Sequence, residues 1–313
     1  MPEVRHAHIL FLPKSWVSSF HPAPRVWNQY AKINLMNTKS EQTSPWRVVV
    51  DSGATGAWNM ALDEAIATLA GEGKSPPTLR LYQWSPGCLS LGRAQPYLDV
   101  DIQGIRQHGW DVVRRPSGGR AILHIDELTY CFTASLDAPL FHGDILESYH
   151  RIAAGLILFL KSLGVDADMN RNDAGQPSGS QNPICFEVPS QYEITWQGKK
   201  VIGSAQARKG SHVLQHGSIP IFGDITRIVD ALAYPDETEK RVARSKMAQR
   251  ATTLQTASGE VFDWGTLVTA FLQAQTELNG LTFVYQPLTS DELHLAEKLM
   301  NDKYASPEWN QRI

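Results

Sequence analysis

Three short runs, Glu193-Ile194-Thr195-Trp196, Val201-Ile202-Gly203-Ser204-Ala205 and Leu214-Gln215-His216-Gly217-Ser218-Ile219, follow one another at hairpin spacing. Gln197-Gly198 and Lys209-Gly210 stand between them, and glycine readily takes the positive φ that tight hairpins demand. Strands joined this closely pair antiparallel, because parallel neighbours need a crossover of about a dozen residues or more. An antiparallel meander is therefore predicted here, which argues against a doubly wound parallel sheet.

The remaining pattern alternates strands with helices. Trp46–Asp51, Thr78–Tyr82, Trp110–Arg114 and Glu127–Thr133 read as strands, with helices at Trp58–Ile66 and Val100–His108. The longest helix is expected over Ile145–Leu163, ended by Gly164, with a short strand at Val165–Met169. Residues 170–184 are polar and rich in glycine and proline, the composition of a linker or of an active-site lid. After Pro220 helices are expected near Asp224–Ala231, Glu237–Thr253, Asp263–Leu278 and Ser290–Tyr304. The fold class is α/β, with mixed, largely antiparallel sheets packed with helices. Residues 1–45 read as an N-terminal extension, with Met36 as a possible later start. Residues 46–285 form the main domain and 286–313 a C-terminal helical tail.

Charge and cysteine usage narrow the function. The 29 Lys+Arg and 32 Asp+Glu give a net charge of -3, so no whole-chain basic field points to nucleic acid or to an anionic membrane. Cys88, Cys131 and Cys185 are far apart and make neither a disulfide framework nor a CxxC pair, which suits a reducing cytoplasm. No apolar run reaches the roughly 18 residues that a membrane-spanning helix needs.

Three places carry chemistry. In Arg114-Arg115-Pro116-Ser117-Gly118-Gly119-Arg120-Ala121-Ile122-Leu123-His124 two arginines lead into a glycine turn whose backbone N–H groups can approach a ligand. The pattern is neither a Walker loop nor GxGxxG, and a basic surface hairpin is the plainer alternative. Cys185 follows the polar loop; a thiol there suits acceptance of an acyl group from a thioester, although free cysteines are commonly just buried. Of Lys199 and Lys200 at the mouth of the second meander strand, the period of two turns one toward the sheet and the other toward water. A lysine held inward would stabilise charge on a reacting carbonyl, whereas a Lys-Lys pair is also an ordinary strand edge. Gly203, Ser204 and Ala205 leave room for a narrow ligand, or mark a bulge. The other histidines, His216 among them, show no metal or catalytic spacing. Asp63-Glu64 and Asp126-Glu127 have the composition of acid–base pairs, although helix-terminal or solvated carboxylates are the commoner reading.

Four stretches in order resemble the lipoate–protein ligase and octanoyltransferase family, which is related to the biotin–protein ligases. They are Trp58-Asn59-Met60-Ala61-Leu62-Asp63-Glu64, the arginine–glycine turn, Pro183-Ile184-Cys185-Phe186, and Gly198-Lys199-Lys200-Val201-Ile202-Gly203-Ser204-Ala205-Gln206-Ala207-Arg208. The resemblance implies a biotin/lipoate ligase-like catalytic domain over 46–285, and Asp126-Glu127-Leu128-Thr129-Tyr130 is similar to the cysteine-dependent octanoyltransferases of the LipM type. It implies Cys185 and Lys200 as catalytic residues, and Arg114, Arg115, Ser117, Gly118, Gly119, His124, Gly203, Ser204 and Ala205 as substrate contacts. Octanoyl would pass from octanoyl-acyl carrier protein to a lysine of the glycine cleavage H protein or of E2 lipoyl domains. No cofactor or metal is implied. An ATP-dependent lipoate ligase and an amidotransferase that takes octanoyl from H protein are the alternatives.

Overall fold

The computed structural model describes residues 44–171 and 192–313. Cys185, most of the 170–184 loop and the first 43 residues lie outside the described residues.

The main sheet grows around a chain entry that is buried from its first residue. Strand β1 (Trp46–Ala54) begins with four buried residues and pairs parallel with both β2 (Thr78–Trp84) and β11 (Phe283–Tyr285). Trp46, Val48 and Val49 supply the apolar surface for a stretch covered on both faces, and Arg47 between them is buried in an ion pair with Glu292. Between β1 and β2 lies helix α1 (Gly56–Gly71), started by the Thr55 side chain, which accepts a hydrogen bond from Trp58 N. Most of α1 is buried, as expected of a helix apolar nearly all round and covered on several sides.

From β2 the sheet continues antiparallel. Strand β6 (Glu127–Ser135) pairs with β2 and with β10 (His212–Pro220). Strands β9 (Lys199–Lys209), β8 (Tyr192–Trp196) and β7 (Asp168–Arg171) then follow outward, so the order is β11-β1-β2-β6-β10-β9-β8-β7. The predicted meander is β8-β9-β10, with Gly198 and Gly210 at positive φ in its turns. A smaller sheet, β4-β3-β5, consists of β3 (Cys88–Leu91), β4 (Asp111–Arg114) and β5 (Ile122–His124), with α2 (Ile102–His108) between β3 and β4. Strands β3, β5 and β11 carry only three or four residues each, too few to show a period, and the sequence reading missed them.

Helix α3 (Ile145–Ser162) opens with a capping box between Asp144 and Glu147 and packs on α6 (Trp264–Asn279) over the sheet. Their contact holds the aromatic centre of the core, Phe132, Tyr130, Phe159 and Phe271, with ring centroids 5.5–6.2 Å apart. Each fully buried apolar side chain of this size stabilises by about 1.5–3 kcal/mol. Two expected helices differ in kind: Ile225–Ala231 is a 3-10 helix, and the last one ends at Leu299 before a π-helical turn, Met300–Tyr304. No helix among the described residues is long and apolar enough to cross a membrane.

Residues after 285 are bound tightly to this body. Helix α7 (Ser290–Leu299) packs Ala296 against Leu62, Ala65 and Ile66 of α1. Glu292, fully buried, takes both terminal nitrogens of Arg47, one at 2.8 Å, and accepts from Ser75 Oγ at 2.6 Å. Burial works to raise the Glu292 pKa, but Arg47 and Ser75 outweigh it and hold the carboxyl below its ordinary value. Removing one partner strands the other charge in the core, so Glu292→Ala is expected to cost about 3–5 kcal/mol in urea denaturation. Because the folded value lies below the unfolded one, the pair stabilises fully above about pH 4.5 and loses its contribution as pH falls through the folded value.

Candidate active-site cleft

A cleft of about 420 Å³, counted with its open mouth, lies between the two sheets. Met60, Tyr82, Trp84 and Ile122 give it apolar walls, and the small residues Gly203, Ser204, Ala205, Gly217 and Ser218 of β9 and β10 line it as well. Smallness is enforced at Gly217, where a Cβ would stand 2.4 Å from the Tyr130 ring and 2.7 Å from the Gly203 carbonyl oxygen.

The arginine–glycine turn closes one side. Arg115 Nη1 donates to Ser90 O at 2.9 Å and to Ser90 Oγ at 3.0 Å, while Nη2 donates to Gly118 O at 3.0 Å and Arg120 O at 2.6 Å. The rigid guanidinium fork thereby fastens the turn to the end of β3. Gly119, at φ 91°, lies so close to Gly92 that a Cβ on Gly92 would stand 1.8 Å from the Gly119 oxygen. Gly92→Ala is expected to push the turn off β3, with a loss of about 1–3 kcal/mol measurable by thermal or urea unfolding.

Two hydrogen-bonded histidines face the cleft. His124 stacks on Trp84 at 4.0 Å; its Nδ1 lies 2.7 Å from Glu127 Oε1 and its Nε2 lies 2.7 Å from Ser90 Oγ. Ser218 and Thr129 also donate to Glu127, and Trp84 Nε1 donates to Thr129 Oγ1 at 2.8 Å. Glu127 thus accepts from several sides, and as an acceptor at Oε1 it places a proton on His124 Nδ1 and fixes the orientation of the ring. His216 Nε2 lies 2.6 Å from Ser117 Oγ, with Nδ1 4.0 Å from Asp63 Oδ2. Burial holds the His216 pKa below the usual histidine value, with Asp63 opposing.

Asp63 is also fully buried, yet Arg80, His216 and Tyr82 outweigh its desolvation and keep it below the ordinary aspartate value. Arg80 Nη1 donates to Asp63 Oδ1 at 2.9 Å and Tyr82 OH to Oδ2 at 2.7 Å. Asp63, Cys131 and His216 come close enough together to be considered as metal donors. Their chemistry does not fit a cation: Arg80 already neutralises the carboxylate, and burial pushes the Cys131 thiol well up, away from the thiolate a metal needs.

Lys200 stands outside the cleft lining, on the same strand three residues before Gly203. Its side chain is 5% exposed, and Nζ donates to Glu193 Oε1 on β8 at 2.9 Å. Lys199 instead donates to Ala248 O at 3.0 Å. Lys200 is thus the buried member of the pair, and Lys199 is half-buried against the Ala248 carbonyl.

The family model of the lipoyl protein ligase A/B catalytic domain matches residues 55–276. The chain belongs to this family. It is 38% identical over 265 residues to the octanoyltransferase LipM of Carboxydothermus hydrogenoformans, covering 84% of this chain and 97% of that protein. It is 36% identical to the octanoyltransferase LipM of Brevibacillus brevis, covering 85% and 99%. Among solved structures, a bipartite lipoate protein ligase from Thermoplasma acidophilum shares the fold with a TM-score of 0.71 at 21% identity, over 86% of this chain and 96% of that one.

Against the residues that the family resemblance implied, the structure brings Arg115, Gly119, His124, Gly203, Ser204 and Ala205 into the cleft lining. Ser117 reaches the cleft only through His216, and Gly118 is exposed beside it. Arg114 has a different job from the ligand contact expected. Fully buried, it donates to Gly92 O at 2.9 Å, Gln95 O at 2.5 Å and Asn310 O at 2.8 Å, tying β4 to helix α8 (Pro307–Asn310). Cys185 lies outside the described residues.

Sequence reasoning missed Ser90, His216, Ser218, Asp63 and Glu127 as members of the site. Asp63, Glu64 and Glu127 are buried, not solvated as the sequence reading had it. The available signal was position: Asp63 and Glu64 lie in the middle of a helix whose neighbours are apolar on every side.

Proposed function

We propose that this protein is an octanoyltransferase that takes octanoyl from octanoyl-acyl carrier protein and delivers it to a lysine of a lipoyl domain, on H protein or an E2 subunit, in the cytoplasm. The observation that carries the reading is the likeness, over nearly the full length of each relative, to proteins named octanoyltransferase LipM. A narrow cleft with apolar walls and a few convergent polar groups is consistent with an acyl chain as ligand.

In the proposed reaction the Cys185 thiolate attacks the donor's thioester carbonyl. A new C–S bond forms, the old one breaks, and the pantetheine sulfur leaves and takes up a proton. The acceptor lysine, as free amine, then attacks the acyl-Cys185 carbonyl; the amide forms and the Cys185 thiolate departs. The Lys200 ammonium holds positive charge near the reacting carbonyl, passes a proton to the departing sulfur and is recharged by the proton that the attacking amine loses. Thioester-to-amide transfer is downhill and draws on no ATP.

Intact-protein mass spectrometry after mixing with octanoyl-acyl carrier protein, without ATP, tests this. One octanoyl adduct that is labile to hydroxylamine and discharged by apo H protein is expected. No adduct from that donor would sink the reading: an adduct from octanoyl-H protein would favour an amidotransferase, and one formed only from free octanoate with ATP a ligase.

A further inference from the structure

Helix α4 (Glu237–Arg250) is divided by charge in a way that the chain as a whole is not. The protein carries a net charge of -3, yet from Lys240 to Gly259 its sequence holds Lys240, Arg241, Arg244, Lys246 and Arg250 and no acidic residue. Lys240 and Arg244 are committed to Asp230, at 3.2 Å and 2.7 Å. Arg241 and Lys246 have no carboxylate partner among the described residues and point to solvent.

The helical period puts these charges on one side. At about 100° per residue, Glu239, Arg241, Val242, Ser245, Lys246, Gln249 and Arg250 share the outer half of α4, with Glu239 at its N-terminal end the one acidic member. Ala243 and Met247 form the buried half. Val242, 47% exposed, sits in the middle of the basic face. An apolar centre rimmed by cations is a surface for an acidic partner, where charge steers the encounter and Val242 supplies a dry contact.

This face is continuous with the strand that bears Lys200. Ala251, immediately after α4, bridges to Lys200, and Thr252 N donates to Lys200 O at 3.0 Å. From Lys200 to the cleft residue Gly203 is about 10 Å along an extended strand. From Val242 to Ala251 is about 13 Å more along the helix, so a group delivered from this face must reach well beyond the four-carbon stem of an acceptor lysine, which suits a thioester carried on a phosphopantetheine arm.

We propose that the outer face of α4, with Arg241 and Lys246 around Val242, docks the acidic surface of the carrier protein that delivers the acyl thioester. The inference rests on the transferase reading, and its test separates the two. Arg241→Glu/Lys246→Glu is compared with wild type for binding of octanoyl-acyl carrier protein at low and high salt. In parallel, KM is measured for that donor, for octanoyl-pantetheine and for the acceptor domain.

Binding weakened about tenfold or more at low salt, with most of the difference gone at high salt, is the expected result. The KM for the carrier-bound donor rises by a similar factor, while kcat and the KM for octanoyl-pantetheine stay unchanged. Equal binding by variant and wild type overturns the proposal, as does a KM increase confined to the acceptor. If wild type transfers from neither thioester, the transferase reading fails, and the binding comparison still decides whether α4 is the docking face.

Discussion

Cys185→Ser is expected to lose octanoyl transfer by roughly 10³-fold or more, the scale seen when a covalent nucleophile is removed. A serine hydroxyl is nearly isosteric but almost wholly protonated near neutral pH. A thiol is intrinsically more nucleophilic and exchanges with a thioester at little cost. The control lies in the other two cysteines. Cys88 and Cys131 are fully buried, and burial pushes both thiols well above the ordinary value, so neither supplies thiolate. Cys88→Ser and Cys131→Ser should therefore keep transfer within a few-fold, and neither single variant should abolish the adduct. Wild-type rates in Cys185→Ser would remove the acyl-enzyme from the mechanism.

What was legible in the sequence follows how local each determinant is. The meander could be read because its strands, turns and glycines are all contiguous, and the helix Ile145–Ser162 because its period runs for five turns. The cleft was only half legible. Gly203, Ser204 and Ala205 announce room beside a strand, whereas Trp84, Ser90 and Met60 enter the site only through the packing of the two sheets and helix α1. His216 gave no pattern because its partners, Ser117 and Asp63, lie on a distant turn and helix. The arginine pair shows the opposite failure: a conspicuous motif suggested ligand contact, but Arg114 hydrogen-bonds to backbone carbonyls instead. A guanidinium with five donors can organise several chain segments at once, and sequence cannot tell that use from anion binding.

Lys200→Met is expected to lower kcat by about 10²–10⁴-fold, the usual worth of a positioned acid–base group, with the donor KM little changed. A buried lysine can also matter simply because it is half of an ion pair, and here that rival reading makes a distinct forecast. With Lys200 5% and Glu193 12% exposed, deleting the cation leaves a carboxylate in poor solvent, at a cost of about 3–5 kcal/mol. A purely structural lysine would be rescued by removing that stranded charge. Lys200→Met/Glu193→Gln should thus recover most of the stability lost by the single variant while recovering none of the activity. Lys200→Arg keeps the charge but replaces a compact ammonium by a planar fork that does not give up its proton, so it should fold well and stay nearly inactive. If the double variant regains transfer together with its melting temperature, Lys200 is a strut between β8 and β9, and proton transfer in the second half reaction has to be assigned to another group near the cleft.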